Sequence, residues 1–473
     1  MAFIWVYVIL EQMDKRKTRI IQTVFIGAVF LVLFLFNLRW DRRFINTIPL
    51  VGDEPSYMSI ADSLATFKTA NLIQEQNTKH FLNFFPSPDF KVHSVDISDT
   101  KHFPKHGLGW PIILTPFFFL SNNPRLFLVI LQNIIVLTLT ANVFLWLREK
   151  GYGFYLSLFV PFVMALSLPI AVQTYFLFYE PLAALCVIYA LRKWEEPNWL
   201  SSLAVAFLPW IHIKYLIFVP LFLYPGIDFS KFRLNKLKDF WNLGVKNKTL
   251  VSLFLASILL VIGFNLYAYG SIFSGQEKAS SFFSQYEGLI GLLVNLKDGL
   301  IASAPIYLAA FLGLGALFVN NRKLFWQVTY LAGFLWFMTG IFSDWSGGQA
   351  PTARMIMTIL PVLAPALAEV LILPFKWFFR VFFGLLMVPS LMLGLRGKMD
   401  PFSVINKHLY DNLNIMKSFF PYDFEKWFPL QHKLGLNLNL LWIVIFVALF
   451  VLGFYLAKKQ KTLHKIERNL IQS

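Results

Sequence analysis

The chain has 473 residues, of which 57% are hydrophobic and 18% aromatic but only 14% charged, against roughly 25% charged in a soluble domain. Apolar runs close to the ~20 residues a bilayer demands recur along its length and leave no room for a large soluble domain. A net charge of +16 would suit nucleic acid, yet no soluble segment carries a basic stripe interleaved with aromatics; no nucleic-acid partner is expected, and membrane topology accounts for the charge. The single cysteine, Cys186, excludes an intrachain disulfide framework.

Met1 to Leu10 is apolar but too short to span and lacks a small-residue cleavage site, so it reads as a surface segment or as the product of a start upstream of Met13. Lys15, Arg16, Lys17 and Arg19 precede the span Ile20 to Leu38. By the positive-inside rule the N-terminal side is cytoplasmic and the loop that follows, residues 39–125, is outside. In it stands Gly52-Asp53-Glu54-Pro55-Ser56-Tyr57. Pro55 suits the first turn of a helix and Asp53 can cap it. Tyr57, Ile60, Ala61, Leu64 and Ala65 then recur at helical spacing with Ser59, Asp62 and Ser63 between, which predicts an amphipathic helix on the membrane surface. The polar run His93 to His102 reads as irregular. Lys105-His106-Gly107-Leu108-Gly109-Trp110-Pro111 leads into an apolar piece ending near Leu120, expected as a second interfacial or re-entrant helix.

Spans are expected at Leu126 to Leu147, Phe154 to Ala171 and Tyr175 to Leu191. Leu200 to Tyr224 is interrupted by Pro209 and His212-Ile213-Lys214 and reads as two short helices meeting at the outer face. A basic cytoplasmic segment, Asp228 to Lys248, precedes further spans at Leu250 to Tyr269, Leu300 to Val319, Phe325 to Ile341, Met355 to Leu373, Trp377 to Leu395 and Leu438 to Ala457. The expected fold is an all-α polytopic membrane protein, one domain over residues 1–473, with about 12 transmembrane helices (roughly 11–13). Interfacial helices occupy the first outer loop, and residues 396–437 form the last one.

Four polar clusters converge on the outer face in this topology: Asp53 with Glu54; Lys105 with His106; His212 with Lys214; and Ser343-Asp344-Trp345-Ser346-Gly347-Gly348 leading to Arg354. Glu180, beside Tyr179, is an acid in an apolar helix and a functional suspect on that ground, or else a buried hydrogen-bond partner. Lys105 and Arg354 have a plainer reading too, as anchors at lipid head groups. Acids and bases gathered at the lip of an apolar bundle suit a phosphate-bearing lipid, whose tail needs a greasy groove and whose head needs cations.

The order of these features resembles the membrane glycosyltransferases of the GT-C superfamily, in particular the bacterial relatives of protein mannosyltransferases and of the aminoarabinose transferase that modifies lipid A. The resemblance is carried by the acid pair in Gly52 to Tyr57, by Lys105 to Pro111 with Pro116, by Leu208 to Leu216, and by Gly347-Gly348 followed by Arg354. It implies that Asp53 is the catalytic aspartate and that Arg354 or Lys214 contacts the lipid phosphate. Pro-Thr-Ala precedes Arg354 where a Gly-Pro pair is usual, a departure from the pattern. It also implies a bacterial inner membrane with the site facing the periplasm or exterior.

The chemistry stands beside the resemblance. Sugar transfer from a polyprenyl phosphate needs a base for the acceptor hydroxyl, for which Asp53 is the choice with Glu54 positioning it. The leaving phosphate needs charge more than a proton, and Lys105, His106, His212, Lys214 and Arg354 form the expected phosphate set. Tyr57, Glu180 and Asp344 are expected at the substrate, and direct displacement inverts the anomeric centre. Asp53, Glu54, His106 and His212 could assemble a metal site, but none has the short fixed spacing of strong metal motifs, and no essential metal or cofactor is expected. The partners are then a polyprenyl-phosphate sugar donor, a glycan, lipid or protein acceptor, and the bilayer. The alternative class is a transporter or lipid-linked sugar flippase, which should place charges or broken helices at mid-membrane in corresponding halves.

Overall fold

The computed structural model describes residues 15–45, 50–223, 248–272, 287–342, 345–347, 350–374, 376–401, 428 and 436–472. Met1 to Leu10, most of Asp228 to Lys248, Asp344 and nearly all of the last outer loop lie outside the described residues. Helices dominate, and the only sheet among the described residues is a two-stranded hairpin.

Among the described residues, six helices are long and apolar enough to cross a membrane. They lie within α1 (Lys15–Phe44), α5 (Arg125–Glu149), α10 (Lys248–Tyr269), the continuous 3₁₀ and α segment Arg354–Ile372, α16 (Lys376–Met399) and α17 (Leu436–Gln472). The expected count of about 12 is thereby corrected, because the other apolar runs are broken. Phe154 to Ala171 becomes α6 (Phe154–Leu166) and a 3₁₀ turn Ile170–Thr174, and α7 starts only at Glu180 (Glu180–Arg192). Leu200 to Tyr224 splits at His212, as expected, into α8 (Trp199–Ile211), a 3₁₀ turn Ile213–Phe218 and α9 (Val219–Leu223). Leu300 to Val319 divides at Pro305 into α12 (Leu300–Ser303) and α13 (Leu308–Asn320). Proline explains several of the breaks, since it lacks an N–H and disfavours helical backbone in the residue before it. The helix α14 (Arg322–Gly340) is unbroken but too polar over Arg322 to Gln327.

α1, α10, α16 and α17 expose rows of large apolar side chains, among them Val32, Leu259, Leu385 and Val444, whereas Arg354–Ile372 is almost wholly buried between its neighbours. The first group offers lipid-facing surface and the second is core. α13 packs on α17 and on α15 (Ala364–Ile372), where Gly313 lies against the Ala366 backbone and Gly315 against that of Phe450, with no space for a Cβ at either. Small residues at helix crossings supply the close packing that replaces hydrophobic drive in lipid. Helix ends expected on one side of the membrane also meet: Lys398 Nζ lies 2.8 Å from Asp41 Oδ1, and Arg192 lies 2.7 Å from Glu149.

The first loop packs as a compact lid on this bundle. Here α2 (Glu54–Asp62) runs on through a wider turn, Ser63–Phe67, to Lys68 in the left-handed region. All nine residues of α2 are buried, so the expected amphipathic surface helix is corrected: Ser56, Ser59 and Asp62 face other protein segments rather than water. After α3 (Ile73–Thr78), the run expected to be irregular forms a hairpin, β1 (Ser94–Ser98) with β2 (Lys101–Pro104), around Asp99 and Thr100. The short helix α4 (Gly109–Phe118) is where it was expected. Gly107 and Gly109 press on the backbone of Trp210 and Ile211 so closely that a Cβ would lie 2.5 and 2.6 Å from those atoms. That contact joins Lys105 to Pro111 to the segment bearing His212 and Lys214.

Candidate active site

Arg354 is the hub. It follows Ala353, whose φ of 54° is uncommon for a residue with a Cβ and is held by a 3.2 Å bond from its N–H to the Asp298 carbonyl. The Arg354 guanidinium donates through Nε to Glu180 Oε1 at 2.9 Å and through a terminal nitrogen to Asp53 Oδ2 at 2.9 Å, with the Tyr57 hydroxyl 3.3 Å from the same nitrogen. Its carbon lies 3.8 Å from the centre of the Phe178 ring. Arg354 is 4% exposed and Glu180 is 0% exposed. A planar fork with five donors suits two carboxylates at once where an ammonium does not.

Asp53 reaches Arg354 because Gly52, at φ 54°, turns the chain into α2. It stands at the N-cap position with Pro55 in the first turn, as expected, but its side chain makes no capping bond. The carboxylate is used on Arg354 instead. Its other oxygen faces two imidazoles, His93 Nδ1 at 3.5 Å and His106 Nε2 at 3.6 Å, which lie 3.2 Å from each other. Burial opposes ionisation of Asp53, but Arg354 together with His93 and His106 outweighs it and holds the carboxyl well below the usual carboxylate range. His106 is pushed down to about 4, first by burial, against the pull of Asp53. It is therefore neutral at pH 7.

Glu54 is turned to the backbone. Its two oxygens accept the Leu177 amide at 2.7 Å and the Val51 amide at 2.8 Å, fixing the loop before α2 to the approach of α7. Burial raises its carboxyl to about 7, with Arg125 and the two amides pulling the other way. Glu54 was expected to position Asp53; the contacts it makes are to these two backbone amides.

The remaining expected residues divide. Tyr57 and Glu180 belong to the Arg354 cluster. His212 stacks at 5.7 Å on Tyr179, close enough to Arg354, His106 and Asp53 to feel their charge, and its Nδ1 accepts the Lys214 amide at 3.1 Å. Lys214 Nζ lies 5.5 Å from the Tyr179 ring centre and 5.3 Å from that of Tyr215. Lys105 is exposed beside His106 and hydrogen-bonds His93 through its backbone at 2.9 Å. Asp344 is outside the described residues, although the neighbouring Trp345 is packed against Gly288 and Gly291 of α11 (Glu287–Val294). The metal set considered from sequence is also redrawn. Glu54 and His212 are committed to backbone amides, and the ligand atoms that lie together, within 4.8 Å, belong to Asp53, His93 and His106.

Sequence reasoning missed His93, Phe178 and Tyr215. The alternation Val95, Ile97 before Asp99-Thr100 was a hairpin signal, and the hairpin is what carries His93 back to His106. The aromatic lining offered no signal in a chain with 52 Phe.

An apolar cavity of about 320 Å³ opens along the same helix, lined by Ile356, Ile359 and Leu360 just after Arg354 and by Tyr307, Trp336 and Phe446. A larger groove of about 830 Å³ between α1, α6 and α16 shares no residue with the site. No family model, no curated protein and no solved structure matches this chain.

Proposed function

We propose that the protein is a GT-C-type glycosyltransferase that moves a sugar from a polyprenyl-phosphate donor to an acceptor hydroxyl on the non-cytoplasmic face of a bacterial inner membrane. The observation that carries this reading is the 2.9 Å pair between Asp53 and Arg354, a carboxylate and a guanidinium side by side, with an apolar cavity lined by Ile356, Ile359 and Leu360 of the segment that follows. In the reaction the acceptor oxygen attacks the anomeric carbon as Asp53 takes its proton. The bond from that carbon to the phosphate oxygen breaks, and the lipid phosphate leaves with the electron pair. The leaving charge falls to Arg354, Lys214 and Lys105, and the prenyl chain to the cavity beyond Ile356.

A carboxylate held so far down by Arg354 is a weak base in the free protein. Donor binding changes that balance, because a phosphate competes for the guanidinium and each contact it takes from Asp53 raises the basicity of that carboxylate. Glu180 keeps Arg354 in place meanwhile through Oε1. Its buried Oε2, without a hydrogen-bond partner among the described residues, is an acceptor for a sugar hydroxyl.

The test is sugar transfer in membranes from a radiolabelled polyprenyl-phosphate donor by the wild type and by Asp53→Asn. Loss of on the order of 100-fold or more is expected for the variant, the scale of general base catalysis. Retained transfer removes Asp53 from the mechanism, and an inactive wild type with donor moving between leaflets favours a flippase.

A further inference from the structure

The far end of α2 carries a second cluster that the transfer reaction does not use. Asp62 closes that helix, Glu75 sits on α3, and His80 opens the 3₁₀ turn His80–Asn83 after Lys79, which is left-handed at φ 51°. Each residue offers one ligand atom, two carboxylate oxygens and a ring nitrogen, all within 4.8 Å of one another. Nine residues separate Asp62 from Asp53, about 13 Å at the helical rise, and the two clusters share no side chain.

Glu75 is the group that ordinary packing does not explain. It is 0% exposed, and neither carboxylate oxygen has a hydrogen bond of good geometry, the Phe81 amide giving it only partial support. Asp62, within 4.8 Å of it, is itself 2% exposed. Asp62 is well served by comparison: Thr66 donates to its Oδ1 at 2.8 Å and His80 Nδ1 contacts its Oδ2. No lysine or arginine among the described residues forms an ion pair with either acid. Two buried acids side by side, one of them without a good hydrogen bond, are a costly arrangement that a cation between them resolves.

We propose that Asp62, Glu75 and His80 bind a divalent transition-metal ion of the zinc or manganese class, which fastens the end of α2 to the turn after α3. Two carboxylate oxygens and an imidazole match zinc, with water as the fourth ligand at roughly 2.0–2.2 Å. The imidazole argues against calcium and magnesium, which prefer oxygen alone. Tetrahedral binding needs ligand atoms roughly 3.4 Å apart, so Glu75 closes in while the direct contact between His80 Nδ1 and Asp62 Oδ2 opens to admit the ion. The His80 side chain, 28% exposed, gives the ion its way in.

The full chain, purified in detergent and stripped with a chelator, is titrated with zinc and its metal content and melting temperature are read. The wild type is expected to gain a zinc equivalent that Glu75→Gln and His80→Ala both lose, with affinity down by on the order of 100-fold or more. The zinc-dependent rise in melting temperature should vanish with it, while His93→Ala keeps both. Glu75→Gln preserves shape and decides the matter alone if His80→Ala fails to fold. X-ray absorption on the zinc-loaded wild type gives a second reading, one nitrogen with oxygens expected. A wild type that takes up no zinc, variants that keep the full equivalent, or a spectrum with two imidazoles as its sole zinc site overturns the proposal.

Discussion

At the N-terminal end of α2, Asp53 and Glu54 meet an arginine, backbone amides and, through Arg354, a third acid; at its C-terminal end, Asp62 and Glu75 face a histidine and each other. Both ends bury carboxyl groups, and both draw their partners from distant segments. The difference is the sign of what surrounds them. Arg354 keeps Asp53 ionised, whereas Glu75, with no lysine or arginine paired to it among the described residues, retains its proton up to about pH 9. Burial therefore fixes the cost of an acid, and the neighbouring charge decides whether it stays an acid or becomes a carboxylate.

Removing the cation should break the comparison most severely. Arg354→Met leaves Asp53 and Glu180 without their shared partner, and unfolding in detergent is expected to require about 3–5 kcal/mol less. A loss under about 1 kcal/mol would mean that these acids are already protonated or hydrated. Gly109→Ala acts from outside the cluster, by pushing α4 off the Trp210 and Ile211 backbone. About 1–3 kcal/mol of destabilisation is expected, with weaker donor binding as His212 and Lys214 move; unchanged donor affinity would detach that segment from the site.

Glu54 sharpens the contrast through pH. Its carboxyl is raised from 4.5 to about 7, so between those values the folded chain keeps a proton that the unfolded chain has given up, and the group's contribution to stability falls as pH rises. Relative to Glu54→Gln, the wild type should lose up to about 1.4 kcal/mol per pH unit within that window. A difference that stays flat from pH 4.5 to 7 would show Glu54 to be ionised throughout. Least of all is expected from Glu75→Gln in the presence of chelator. A protonated carboxyl exchanged for an amide of the same shape strands no charge, and the change should stay within about 1 kcal/mol. A loss as large as that from Arg354→Met would place an ionised Glu75 at this end as well.

The class of protein was legible from hydropathy, and Asp53, Tyr57, Glu180 and Arg354, which the structure brings into contact, were among the residues singled out. Asp53 and Arg354 were named for their types and for lying where apolar runs meet polar ones. Pro55 and His212 marked real discontinuities, whereas Pro209 lies inside α8, which runs on to Ile211. The number of spans was not legible, because a run of apolar residues is the same sum whether it forms one helix or, as at Leu300 to Val319, shorter pieces turning at a proline. The environment of α2 was misread for a related reason. Its serines and acids have the spacing of a wet face, and only the packing of α4, the hairpin and the Leu177 segment reveals that the face is dry.

The sequence by itself determined that the chain belongs in a membrane and supplied its acids and cations, since composition and hydropathy are sums over neighbours in the chain. Only the tertiary structure decided that Asp53 and Arg354, 301 residues apart, share a hydrogen bond, that Glu54 serves the backbone, and that Asp62, Glu75 and His80 stand together. Charge state and chemistry depend on distances through space and on access to water, and neither is a function of position along the chain.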